Sequence, residues 1–283
     1  MKTTVQISLA ELSISTVLYL ISSRAYLLVF HGSRDSRTLA AASQLKHLLL
    51  TKYRFKNILT QQNYLKANLP EYEPKLFDRV SLLEAPPVDI AALELGSKSL
   101  SESLVDFARK MHHRGIKQIN VIPLFLAPGT HVKQDIPAEI DLAIQQLDRS
   151  IRIELSSYLG KYSGIVPLLL DKFARLSGEA RILVAHGSRL PGVASYYQDL
   201  ATQLDADLAY WSVAPKLASV VEAKVSGNQK IAILPYFLFP GRITSAIASE
   251  VARLQEQYPQ VELNLGQPLG ATEALARSIA ESA

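Results

Sequence analysis

The sequence predicts an α/β protein of two similar parallel-sheet domains that arose by internal duplication and face each other across a cleft. Two repeats and one alternation predict it. AYLLVFHGSR at 25–34 returns as ARILVAHGSR at 180–189, and INVIPLFLAPG at 119–129 returns as IAILPYFLFPG at 231–241, in the same order within each half. Short Val-, Ile- and Leu-rich runs bounded by Gly or Pro are the pattern of strands buried on both faces of a parallel sheet. Between them lie stretches with helical spacing, at 36–50, 99–113, 136–147 and 192–204. Strand alternating with helix requires crossover units, so each half is a parallel sheet flanked by helices.

Residues 1–24 form an N-terminal extension. It is apolar, but Glu11 and Arg24 interrupt it and no small-residue cleavage pattern follows a basic start, so an added surface helix or an ill-ordered extension is expected rather than an export signal or membrane span. The first half, 25–177, carries expected strands near 25–30, 90–95, 119–126 and 151–155. Within it the stretch 51–88, with its tyrosines and prolines, has no counterpart of that length in the second half and reads as an irregular insertion, a lid or a loop. A boundary falls in the LSGEA loop at 176–180. The second half, 178–283, carries expected strands near 181–185, 208–213, 231–238 and 261–265.

Composition removes several classes of function. With 283 residues, 48% of them hydrophobic, both halves can bury a core. The chain has no cysteine, which excludes thiolate-bound zinc and iron–sulfur clusters, fits a reducing cytoplasm, and leaves His and carboxylate oxygen to hold any transition metal. The net charge of +4 comes from 30 basic and 26 acidic residues mixed along the chain, which argues against a nucleic-acid stripe. There is no Gly-x-Ser-x-Gly elbow, and neither a GxxxxGK[ST] nor a GxGxxG follows any expected strand, so hydrolase, nucleotide and dinucleotide readings lack their usual warrant.

The polar residues gather at expected strand ends. In an open parallel sheet the ligand crevice lies beyond the carboxyl ends of the strands, where neighbouring crossovers diverge. His31 closes the first strand and His131 follows the third through a Pro-Gly turn. With strand order 2-1-3-4 these strands are neighbours and both imidazoles reach one crevice. The second expected strand, AALEL, ends at Glu94 and Leu95, which brings a carboxylate to the same place. Two imidazoles and a carboxylate make an open site for Fe²⁺, Co²⁺ or Ni²⁺. HGSR also reads as an anion-binding turn, with Gly32 letting backbone amides approach and Arg34 supplying charge. His47, His112 and His113 fall on helical stretches with no converging partner and read as surface.

Strand-HGSR, a Leu-Glu-Leu segment and IPLFLAPGTHVKQDIPAEI, repeated in degenerate form, resemble the ATP-independent tetrapyrrole chelatases, the sirohydrochlorin chelatases of the CbiX type in their long two-half form. The resemblance spans about 25–283 apart from 51–88. It implies two chelatase-like (flavodoxin-like) domains and insertion of Fe²⁺ or Co²⁺, with Ni²⁺ a further candidate, into sirohydrochlorin for sirohaem or cobalamin synthesis. The divalent metal is then substrate, with no cofactor permanently bound. It further implies a cytoplasmic enzyme with no nucleic-acid or membrane partner, and a monomer, because the second wall of the cleft is covalently present. A non-catalytic tetrapyrrole or metal carrier is the alternative.

Carried over by motif, the metal and catalytic residues are His31, His131 and Glu94, with Glu84 in SLLEAPP as the rival carboxylate. Ser33, Arg34, Lys133, Arg189 and Arg242, in the crevice loops, are the residues implied to bind the polycarboxylate rim of the ring. The second half keeps HGSR at His186, but Arg242 or Ile243 stands where the second histidine belongs, and Trp211 falls about where the glutamate should be. The chemistry is therefore expected in the first half, with the second supplying the opposite wall and His186 structural or substrate-positioning.

Overall fold

The computed structural model describes residues 24–68, 85–147 and 151–282. The first half runs β1 (Arg24–Phe30), α1 (Ser36–Asn68), β2 (Val88–Ala92), α2 (Leu100–His113), β3 (Gln118–Pro123), a π-turn (His131–Asp135), α3 (Ile136–Gln146), β4 (Arg152–Leu155) and α4 (Ile165–Ala174). The second runs β5 (Ala180–Ala185), α5 (Pro191–Leu204), β6 (Asp207–Tyr210), α6 (Leu217–Val225), β7 (Lys230–Pro235), α7 (Arg242–Gln257), β8 (Glu262–Leu265) and α8 (Glu273–Ser282). Two four-stranded sheets result, ordered β2-β1-β3-β4 and β6-β5-β7-β8. All pairings are parallel. Val29 pairs with Pro123 in the first sheet as Val184 pairs with Pro235 in the second, which fixes the correspondence between the halves.

Several strands stop earlier than the apolar runs that announce them. β2 ends at Ala92, β3 at Pro123, β6 at Tyr210 and β7 at Pro235. The runs continue because the crevice loops are themselves packed: Leu124 is buried, and Leu93 and Phe125 lie against a core cluster. Hydrophobicity reports burial, and past these points the burial is of loop rather than ladder. Helix α1 departs in the other direction. It continues to Asn68, so the first part of the expected irregular insertion is helical. No Gly or Pro interrupts 36–68, whereas Pro70 follows, and the residue before a proline disfavours helical backbone. Residues 69–84 of the expected insertion (51–88) and 1–23 of the expected extension (1–24) lie outside the described residues, while Val88 already begins β2 and Arg24 begins β1. Among the described residues no helix is long and apolar enough to cross a membrane.

β1 shows how the layers form. Its residues alternate, with Ala25, Leu27 and Val29 facing a cluster with α2 and α3, and Tyr26, Leu28 and Phe30 facing a second cluster. That second cluster also takes Leu183 and Ala185 of β5 with residues of α1, α4, α5 and α8, so the inner faces of both sheets share one core. A third cluster packs the outer face of the second sheet against α6 and α7. The terminal helices cross between halves: α8 packs on α1, while α4 packs on α5 and β7. Lys172 of α4 donates to the Pro268 carbonyl at 2.9 Å, and Arg181 lies over the Phe173 ring.

A layer of tyrosines lies where the halves meet. The Tyr196 and Tyr236 hydroxyls are 2.6 Å apart, and they reach the carbonyls of Gly160 at 3.0 Å and Leu126 at 3.1 Å, both in the first half. Burial pushes the phenols of Tyr162 and Tyr197 up to about 12, and those of Tyr53, Tyr196 and Tyr236 upward as well. An unfolded chain releases these protons near pH 10 while the folded chain keeps them, so stability is intact below that pH and falls as pH rises past it. The denaturant midpoint is expected to hold to about pH 9.5 and to drop steadily above about pH 10. A midpoint unchanged to about pH 11.5 would contradict this.

Candidate metal centre

His31 is the first residue past β1, and the backbone beyond it is tied to the end of β2. Leu93 N–H donates to the Phe30 carbonyl at 2.8 Å and Glu94 N–H to the His31 carbonyl at 2.9 Å, prolonging the pairing into the crevice. Glu94 therefore stands past the strand rather than within it. This close approach explains Gly32. Its φ is +93°, and a β-carbon there would sit 1.8 Å from the Glu94 carbonyl oxygen. Leu95, next to Glu94, is held in the left-handed region at φ 57°, a conformation costing about 1–2 kcal/mol for a residue with a side chain. Such strain persists only where surrounding bonds determine it.

His131 arrives from the other side of β1. After β3 the chain is pinned by Leu124 N–H to the Val29 carbonyl at 2.7 Å and by Gly160 N–H to the Phe125 carbonyl at 3.0 Å. It then enters the π-turn, in which Ile136 N–H donates to the His131 carbonyl. Pro137 follows and brings no N–H, so the Lys133 carbonyl receives no helical bond from it.

These loops bring the three side chains together. The His31 and His131 rings stand edge to face with centroids 4.8 Å apart, and Phe125 lies 6.4 Å and 5.8 Å from them. His131 Nδ1 is 3.9 Å from Glu94 Oε1. One donor atom from each of His31, Glu94 and His131 lies within 4.8 Å of the others, and among the described residues no other group of three His, Asp or Glu side chains does so. An ion with bonds of about 2.1 Å draws tetrahedral ligands to roughly 3.4 Å apart, so the donors, now within 4.8 Å of one another, would have to close further around it. His31 Nδ1 faces the Gly32 carbonyl at 3.1 Å, and His131 Nδ1 faces Asp135 Oδ2 at 2.7 Å. With both Nδ1 positions donating, both Nε2 lone pairs are available to a cation. Glu84, the rival carboxylate, lies outside the described residues.

The second half repeats the scaffold without the donors. Gly187 has φ +84°, Trp211 N–H donates to the Ala185 carbonyl at 2.9 Å, and Ser212 N–H donates to the His186 carbonyl at 2.8 Å. Trp211 thus matches Leu93, and Ser212 is the residue in the glutamate's place, a one-residue correction to the sequence reading. Counting from the paired prolines, Ile243 rather than Arg242 matches His131. His186 is exposed beside Phe237, with neither a carboxylate nor a second imidazole at the matching positions.

Of the residues expected to bind a polycarboxylate rim, Ser33 and Arg34 follow His31 in its turn, Lys133 lies in the π-turn with His131, Arg189 lies in the matching HGSR turn of the second half, and Arg242 begins α7. Ser33 Oγ accepts the Asp35 N–H at 3.0 Å, as Ser188 Oγ accepts the Leu190 N–H at 3.1 Å, so the serine of each HGSR fixes the turn. Arg34, Lys133, Arg189 and Arg242 are exposed. Lys133 reaches the second half, its Nζ 3.6 Å from where a β-carbon on Gly192 would stand. The sequence reading missed Arg37, whose guanidinium binds Asp35 at 2.6 Å and donates to Ser245 Oγ of the second half at 3.2 Å. Arg37 hydrogen bonding and, more weakly, the charge of Arg242 hold the Asp35 carboxyl below the usual range. It also missed Asp135, although an acid at i+4 from a histidine before a helix is a readable spacing.

A duplicated parallel α/β protein with imidazoles and a carboxylate converging at its switch point has the architecture of the chelatases. SirB from Bacillus subtilis with Fe³⁺ aligns over 92% of this chain and 94% of its own with a TM-score of 0.67 at 22% identity, a likeness in fold. The model of the CbiX family matches residues 25–176 and 180–283, and the chain belongs to that family. A sirohydrochlorin ferrochelatase of Priestia megaterium is 24% identical over 192 residues, covering 63% of this chain and 70% of that one. A sirohydrochlorin cobaltochelatase of Priestia megaterium is 26% identical over 170 residues, covering 54% and 55%.

Proposed function

We propose that this chain is a sirohydrochlorin chelatase that inserts Fe²⁺ or Co²⁺ into the ring without a nucleotide. The observation that carries the reading is the convergence of His31, Glu94 and His131 at the mouth of the first sheet in a chain of the CbiX family. The relatives named as ferrochelatase and cobaltochelatase support the substrate and both metals. In the reaction the ring gives up two pyrrole protons and gains one divalent ion. The Nε2 atoms of His31 and His131 and the Glu94 carboxylate hold the ion against one ring face. As ring nitrogens displace them, the same groups are free to take the departing protons. Arg34, Lys133, Arg189 and Arg242 anchor the carboxylates of the rim, with Ser33 shaping the loop they share. The setting we propose is the reducing cytoplasm, supported by the absence of cysteine. We propose a monomer, supported by the core that the two halves share.

Anaerobic mixing with sirohydrochlorin and Co²⁺ or Fe²⁺, without ATP, is expected to convert the optical spectrum of the free ring to that of the metal complex over many turnovers. Ring binding without turnover would instead identify a carrier. Arg242→Ala is expected to raise KM for the ring by about tenfold with kcat nearly unchanged, the loss of one charged hydrogen bond to a carboxylate. An unchanged KM would remove Arg242 from the rim contacts.

A further inference from the structure

We infer that Asp135 is a positioning residue for metal capture: it takes the Nδ1–H of His131, presents the bare Nε2 to the incoming ion, and keeps Glu94 free to ligate. The inference rests on the metal site proposed above. Its first support is the geometry around His131 Nδ1, which has two carboxylates within reach, Asp135 Oδ2 at 2.7 Å and Glu94 Oε1 at 3.9 Å. Without Asp135, Glu94 is the remaining acceptor for that proton. A Glu94 so engaged would orient the imidazole in place of binding the ion. His31 needs no such partner, because the Gly32 carbonyl faces its Nδ1 at 3.1 Å. Ligating histidines commonly hold their second nitrogen against a carboxylate, which fixes tautomer and ring orientation.

The second support lies in the duplication. The correspondence that places Ile243 opposite His131 places Ile247 opposite Asp135. Ile247 is buried in the third core cluster, and Ile243 packs against that cluster. There the chain enters a regular α-helix at Arg242, whereas in the first half it makes the π-turn His131–Asp135 before its helix. Histidine, aspartate and widened turn are present together in one half and absent together in the other. A role in folding alone does not explain the pair, because both side chains are partly exposed, at 33% and 44%, where such contacts add little to stability.

The test uses the full chain, first without metal. Long-range ¹H–¹⁵N correlation of the imidazoles is expected to find His131 as the Nδ1–H tautomer in the parent protein. In Asp135→Ala it is expected to shift toward Nε2–H, and in Asp135→Asn to stay largely Nδ1–H. Co²⁺ alone, titrated calorimetrically, is expected to bind Asp135→Ala about 10–100-fold more weakly, with part of the loss restored in Asp135→Asn and the melting temperature nearly unmoved. An Nε2–H tautomer in the parent, or unchanged Co²⁺ affinity in Asp135→Ala, would overturn the inference. Failure of the chelatase reading looks different. The tautomer and Co²⁺ affinity then respond to Asp135 as stated, while the parent protein leaves sirohydrochlorin metal-free. A parent protein that binds no Co²⁺ overturns both.

Discussion

Metal insertion is expected to fall on the order of 10²–10⁴-fold in His31→Ala and again in His131→Ala, and to change little in His186→Ala. The asymmetry is the informative part. His31 and His186 are the same residue in the same HGSR turn, each exposed, each with Nδ1 3.1 Å from the next carbonyl. They differ in company. His31 meets His131 and Glu94, whereas the places matching those two in the second half hold Ile243 and Ser212. In the proposed reaction each first-half histidine would supply both a ligand and a proton acceptor, so its loss would remove two contributions, while His186→Ala removes an imidazole with neither partner. Steady-state rates with Co²⁺ and sirohydrochlorin check this, and comparable losses in all three variants would place the chemistry in both walls of the cleft.

Gly32→Ala is expected to be among the most damaging single-atom additions in the protein. The added carbon would lie 1.8 Å from the Glu94 carbonyl oxygen, far inside contact distance, and the obstacle is backbone that cannot rotate aside. The loops must separate, breaking the Glu94 N–H bond to the His31 carbonyl and carrying the carboxylate away from the imidazoles. Gly115→Ala is the control. Its φ is also positive, at +75°, but nothing lies within 4 Å of the new carbon, so only backbone strain of about 1 kcal/mol is expected. For Gly32→Ala a stability loss of roughly 3 kcal/mol or more is expected, together with at least tenfold weaker Co²⁺ binding. Urea denaturation and calorimetry read the two effects separately, and equal behaviour of the two glycine variants would mean that the contact at Gly32 is not limiting.

Much of this was legible before any coordinates. The repeats and the strand cores follow from hydrophobic runs and crossover rules, whereas the meeting of His31 with His131 followed only on the condition of strand order 2-1-3-4, which the first sheet has. Glu94 was legible only as a strand end, and it stands beyond one, since a run of apolar residues does not distinguish ladder from packed loop. The place of Ser212 required hydrogen-bond register, whereas Ile243 follows from aligning the 119–129 and 231–241 repeats. Position counting across a degenerate repeat slips by one residue, enough to put Trp211 where Ser212 belongs. The crossing of α4 and α8 between halves, and the bond from Arg37 to Ser245, are tertiary facts with no periodicity to announce them. Helix α1 passed its expected end because propensity favoured continuation and nothing in 36–68 opposed it.

The most direct measurement is an anomalous difference map from crystals of the full chain soaked in Co²⁺. One peak within about 2.1 Å of an imidazole nitrogen of both His31 and His131, with a Glu94 oxygen also bound, is the expected result. A peak on one of these imidazoles alone, or at His186, would contradict it.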